Sequence, residues 1–205
     1  MEKILRVLFC FLFLTGCATL TGPKPGPEFN QKIMLLVPDD YQMFQAPQST
    51  YDPGDLQSFH SQHTFPLLVQ DTFRSMFAEI EILKNEPGVE MGEPDVPAVF
   101  EVRMLDLAND IYNEADTYRA HTTIAAVMKS PGGETFWQQA FRGEGWVNVD
   151  PQFSTGLGPQ DAVVAAVNDA LEQMRTAILK SAQVQNQLKY YDAIRRSRSE
   201  TEKKI

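Results

Sequence analysis

The residues able to do chemistry in this 205-residue chain are few: three histidines, two cysteines and one glycine-rich turn. His60 and His63 are three apart, so on a helix they would share a face and offer two metal ligands. Asp52 and Asp55 lie nearby in sequence. A zinc centre needs three or four ligands in fixed geometry, and the third histidine, His121, falls in a strand-like stretch. Solvated loop histidines are the expectation, with no metal bound. A hydrolase reading would rest on these histidines and acids alone. No G-x-S-x-G, S-x-x-K or H-E-x-x-H pattern occurs to mark a nucleophile or a metal helix, although a triad can assemble from distant positions. Gly156-Leu157-Gly158 precedes a helix start, where an anion can bind, but Asp161 would repel one, so it reads as a helix-entry loop. The expectation is a chain that is not an enzyme and needs no cofactor.

The cysteines point to a different chemistry. A short basic start, Met1 to Arg6, leads into eight apolar residues, Val7 to Leu14, the pattern of a secretory signal peptide. The run is too short to span a bilayer as a helix, which takes about 20 residues. It ends in Leu14-Thr15-Gly16-Cys17, which resembles the bacterial lipobox. That resemblance implies cleavage after Gly16, a lipid on the Cys17 sulfur and an acylated new amino terminus, with palmitate the natural label. Cys10 would leave with the signal peptide, so no disulfide is expected. Each buried methylene contributes roughly 0.8 kcal/mol, and more than one chain makes anchoring stable. Ala18 rather than Asp follows Cys17. By the sorting rule that the resemblance carries, this favours the periplasmic face of the outer membrane.

Charge narrows the partners. The formal net charge is −9, from 27 acidic and 18 basic residues. Such a chain is ill suited to nucleic acid, which needs a basic face. Apolar residues at 43% and charged residues at 22% fit one ordinary globular domain.

The elements that would position any site follow from spacing. Residues 1–16 read as the signal peptide. Residues 17–30 read as lipidated Cys and a Pro/Gly tether, residues 31–188 as a single α+β domain, and residues 189–205 as a basic tail. Lys32 to Val37 is a buried-strand pattern closed by Pro38. Asp39 to Gln62 reads as a long loop, and such loops are often functional. Thr64-Phe65-Pro66 opens a helix with Val69, Phe73, Met76 and Phe77 on one face. Period two takes over near Glu79-Ile80-Glu81-Ile82. Three long strands follow, at Ala98 to Asn109, Tyr118 to Lys129 and Phe136 to Val149, the last two joined by a Gly-rich turn. Gly143 and Gly145 are expected to bend or bulge the last strand. From Pro159, a stripe of Val163, Val167, Ala170, Leu171, Met174 and Ile178 makes one helix of about 35 residues, roughly 50 Å long, fraying near Arg196. The expected order is β-α-β-β-β-β-α, with two helices on one face of a mostly antiparallel sheet.

This layout resembles small bacterial envelope lipoproteins: the uncharacterised YajG-type family, the ABC-transport auxiliary lipoproteins and the lipopolysaccharide-assembly lipoprotein LptE. The resemblance rests on the lipobox at Cys17, the strand-then-helix opening, Val99 to Asp110, Tyr118 to Ser130 and the helix opening Asp161 to Leu171. It implies a non-catalytic accessory or docking subunit of an envelope transport or assembly complex handling lipid or lipopolysaccharide. A cell-wall lipoprotein that binds peptidoglycan or regulates its synthesis is the alternative. No residue role passes over except lipidation at Cys17. Two surfaces stand out for partners. Tyr41, Phe44, Tyr51 and Phe59, with Phe65, cluster around the long loop as core cover or as an exposed binding patch. Arg195, Arg196 and Arg198 could touch anionic lipid, or simply suit a helix C-terminus.

Overall fold

The computed structural model describes residues 26–38, 64–83, 98–112, 117–130, 132–148 and 159–202. Strand β1 (Phe29–Leu36) is followed by helix α1 (Thr64–Met76), then strands β2 (Phe77–Leu83), β3 (Val99–Tyr112), β4 (Thr117–Lys129) and β5 (Thr135–Asn148). Helices α2 (Pro159–Lys180) and α3 (Ala182–Glu202) complete it. The strands form one sheet in the order β2-β1-β3-β4-β5.

The expected α+β class and element order hold, with two amendments. The sheet is mixed, because β1 pairs parallel with both β2 and β3, while β3, β4 and β5 form an antiparallel meander. The β1-α1-β2 crossover requires the first parallel pair. The second amendment is that the long terminal helix is broken into α2 and α3 at Ser181. There the Ser181 hydroxyl accepts the Val184 N–H at 3.3 Å, as an N-cap does three residues ahead of the donor. The Gln185 amide donates to the Leu179 carbonyl at 2.6 Å. Two of the backbone groups freed by the break, the Val184 N–H and the Leu179 carbonyl, are thereby satisfied. The new direction keeps Val184 and Leu188 buried in the core, and the helix runs on past Arg196 to Glu202.

Helix α1 buries Phe65, Val69, Phe73 and Met76, the i, i+4, i+8 and i+11 face, and β2 begins at the next residue. Aromatic rings weld this junction. Phe77 lies 5.1 Å from Phe29, 5.9 Å from Phe73 and 5.5 Å from Phe100, centroid to centroid. Each such ring contributes roughly 1.5–3 kcal/mol by burial.

All three helices bury apolar side chains in the core on one face of the sheet. In β3 that face takes Phe100, Val102, Met104 and Leu107, a step of three at the end. A β-bulge makes the step possible: Met104 pairs with Ile124 and Asp106 with Thr123, so Leu105 is the extra residue. Unbroken alternation would drive Asp106 inward and Leu107 outward. Buried Thr122 donates its hydroxyl to the Asp106 carbonyl at 2.7 Å.

Gly143 and Gly145 do not bulge β5, whose register runs unbroken past them. They face α2. A Cβ on Gly143 would come within 2.6 Å of the Ala170 nitrogen and 2.9 Å of the Ala170 methyl, and would overlap the Ala166 carbonyl oxygen. Gly145 meets Ala162, Ala165 and Ala166 in the same way. The glycines let helix and strand backbones approach as closely as a small-residue seam allows.

Candidate docking surface

The other face of the sheet carries no packed helix among the described residues, and its side chains follow from parity. The even residues of β5 and the odd residues of β4 point there, so Trp146 stands opposite Arg119. The Trp146 side chain is 60% exposed, unusual for so large an apolar group. The Arg119 guanidinium lies 4.6 Å from the centre of its ring, a cation–π contact. Arg119 also bonds Glu144 at 3.2 Å, and Thr117 bonds Asn148 at 3.0 Å beside it. The bulged Leu105 is 49% exposed, next to Asp106 in sequence. His121 Nε2 lies 4.0 Å from the Asp106 carboxylate.

Farther along the same face, Glu101 is only 4% exposed. Its carboxylate accepts from Lys129 at 2.6 Å and from Arg103. Burial alone would raise its pKa; the hydrogen bonds and charges of Lys129 and Arg103 outweigh that and hold the carboxyl below its ordinary value. Lys32 sits between Glu81 at 3.1 Å and Glu79 at 3.5 Å. The Glu81 hydrogen bond and charge, with Glu79 adding, raise its pKa. The face therefore pairs its charges, buries Met34 and Val99 beside Leu83, and leaves the Trp146 indole and Leu105 exposed.

The residues singled out from sequence are distributed differently. Cys17, Tyr41, Phe44, Tyr51, Phe59, His60, His63 and the Gly156–Gly158 turn lie outside the described residues. Phe65, from the same aromatic group, is core. Arg195, Arg196 and Arg198 lie on α3, where Arg196 stands one turn from Asp192 and one turn from Glu200. Of the three arginines only Arg196 lines the 490 Å³ groove along the helix, with Lys189, Asp192, Ala193, Ser197 and Glu200. The structure thus does not bring the aromatic loop and the arginines into one described site. Among the described residues, no cluster of three or more His, Cys, Asp or Glu is placed to hold a metal. No described helix is long and apolar enough to cross a membrane.

Trp146 was the residue that sequence reading passed over. It lies in the same strand as the apolar Trp137, Phe141 and Val147, which face the core. The signal was its parity: those three are odd and it is even.

No family model and no curated protein sequence matches the chain. Solved structures similar in shape include a neuraminyllactose-binding hemagglutinin homolog from Helicobacter pylori, at 11% identity and TM-score 0.43, covering 84% of this chain and 97% of that one. A minor lipoprotein from Acinetobacter baumannii is 10% identical at TM-score 0.35, covering 76% and 93%. Rare lipoprotein B from Shewanella oneidensis is 14% identical at TM-score 0.31, covering 84% and 96%. At these values no role passes from them to this chain.

Proposed function

We propose that this chain is a lipid-anchored bacterial envelope protein acting as a non-catalytic docking subunit of a transport or assembly complex for lipid or lipopolysaccharide. The observation that carries the reading is Leu14-Thr15-Gly16-Cys17 directly after a basic start and a short apolar run. An anchored, tethered domain meets membrane partners at raised effective concentration without any new contact. The sheet face that carries no packed helix among the described residues, with Trp146 exposed beside Arg119, supplies a surface for such contact. Aromatic and arginine side chains are the residues that most often anchor interfaces.

The test has two parts. Cells given labelled palmitate should label the wild-type chain and leave Cys17→Ser unlabelled and released from the membrane fraction. A photo-crosslinker at position 146 should then trap an envelope protein. An unlabelled wild-type chain, or a soluble one, refutes the anchor.

Peptidoglycan binding is favoured by one feature, the flat exposed indole of Trp146, on which a sugar ring can lie. It predicts co-sedimentation with purified peptidoglycan that Trp146→Ala abolishes.

A further inference from the structure

Among the described residues, strand β5 is an edge of the sheet. Its outward backbone groups belong to even residues, and helix side chains cover three of them. Gln173 donates to the Arg142 carbonyl at 2.9 Å, the Glu144 N–H donates to Asp169 at 3.1 Å, and Gln183 donates to the Phe136 carbonyl. Exposed edges are commonly blunted in this manner. Between the covered carbonyls of Phe136 and Arg142, the two-residue repeat turns outward the N–H and C=O of Gln138 and Ala140. Among the described residues, nothing outside the β4–β5 ladder bonds to these four groups. Gln138, Gln139 and Ala140 are all exposed.

A groove of 360 Å³ runs between this stretch and α2, with Gln139, Phe141, Asp169, Glu172, Gln173 and Thr176 in its walls. No cation lines it; Arg175 pairs with Glu172 at 3.1 Å from outside the lining. Its walls carry two carboxylates, Asp169 and the Arg175-paired Glu172, and the chain carries −9 overall, so a second copy would be repelled while a basic segment would be drawn in. We propose that the β5 edge at Gln138–Ala140 accepts an extended, basic segment of a partner protein as an added strand, with a Lys or Arg side chain lying over the Asp169–Glu172 groove. Strand addition draws affinity from backbone bonds and selectivity from the pockets under alternate side chains. The inference rests on the docking role proposed above and names the partner's chemistry.

The probes are two labelled, end-capped hexapeptides, one alternating Lys and Val, the other Glu and Val. They are titrated against the full lipidated chain in zwitterionic detergent. The Lys peptide should bind at least fivefold more tightly than the Glu peptide and slow amide exchange at Gln138 and Ala140 at least fivefold. Ala140→Pro removes an outward N–H without touching the β4 ladder, and should weaken the Lys peptide tenfold or more. Glu172→Lys should bring the two peptides to within twofold of each other. Equal binding of the two peptides to the wild type overturns the proposal. So does unchanged exchange at those amides, or self-association that protects them without peptide. Should Ala140→Pro fail to fold, the wild-type exchange result decides alone. Loss of the palmitate label would sink the anchor and leave this edge untouched, whereas failed peptide binding would sink the edge alone.

Discussion

Gly143→Ala adds one methyl group at the seam between β5 and α2. The new Cβ would lie 2.6 Å from the Ala170 nitrogen and overlap the Ala166 carbonyl. Ordinary contact begins near 3.4 Å, so α2 must retreat by about 1 Å. No rotamer change can absorb this, because two of the three atoms are helix backbone. The retreat would loosen Val163, Val167, Leu171 and Met174, all buried. Overpacking of a good core costs about 1–3 kcal/mol, and a backbone clash belongs at the upper end. The lost freedom of glycine in the unfolded chain returns about 0.4–1 kcal/mol. A net loss of about 2 kcal/mol follows, which for a domain of this size lowers Tm by roughly 4–8 °C. Thermal and urea unfolding followed by circular dichroism measures it. Gly132→Ala is the control, since its Cβ meets nothing nearer than Ser130 Oγ at 3.6 Å. Adding Ala170→Gly should not rescue Gly143→Ala, because the Ala166 carbonyl stays in place. Melting of Gly143→Ala within 1 °C of wild type, or full rescue by Ala170→Gly, would refute the close-approach reasoning.

Other expectations follow from the same geometry. Thr122→Val leaves the Asp106 carbonyl at the bulge without its donor and should cost about 1 kcal/mol in urea unfolding. Glu101→Gln should destabilise at pH 7 by about 1.5 kcal/mol, the low end for bonds to charged groups, because Arg103 and Lys129 are each about one-third exposed. The wild-type carboxyl sits below its ordinary value of 4.5, so the unfolded chain binds its proton first. The stabilisation is complete above about pH 4.5 and fades as pH falls through the folded value. Stability curves of wild type and Glu101→Gln should therefore converge in acid, and parallel curves would contradict the pairing. Ser181→Ala should cost about 1 kcal/mol and speed amide exchange in the first turn of α3.

Most elements were legible because burial on one face leaves a period. The change from helix to strand at Phe77 shows in Phe73, Met76 and Phe77 followed by alternating Glu79 to Ile82, and the break falls there. The crossover helix made a parallel β1–β2 pair legible, but the second parallel pairing, of β1 with β3, was not, since alternation records which face a residue takes and not which strand lies beside it. The bulge at Leu105 escaped because Met104, Leu105 and Leu107 are all apolar, and only the pairing partners reveal the skipped residue. The break at Ser181 escaped for a related reason: Ile178, Val184 and Leu188 continue an apolar stripe, and a lone serine caps or tolerates a helix equally well. Of the docking surface, Trp146 could have been found by parity. The open stretch of the β5 edge could not, because it depends on how far Gln173, Asp169 and Gln183 reach from two helices.

The position of β1 bears on how the fold would carry mechanical load. It is the first described strand, five of its residues, Lys32 to Leu36, pair in continuous register with β2, and its last three also pair with β3. Tension applied at the amino end along the strand axis would shear these hydrogen bonds together and not peel them one at a time. Two parallel neighbours grip the strand from either side. A body tugged toward a bilayer through that end would yield only when both rows slip at once.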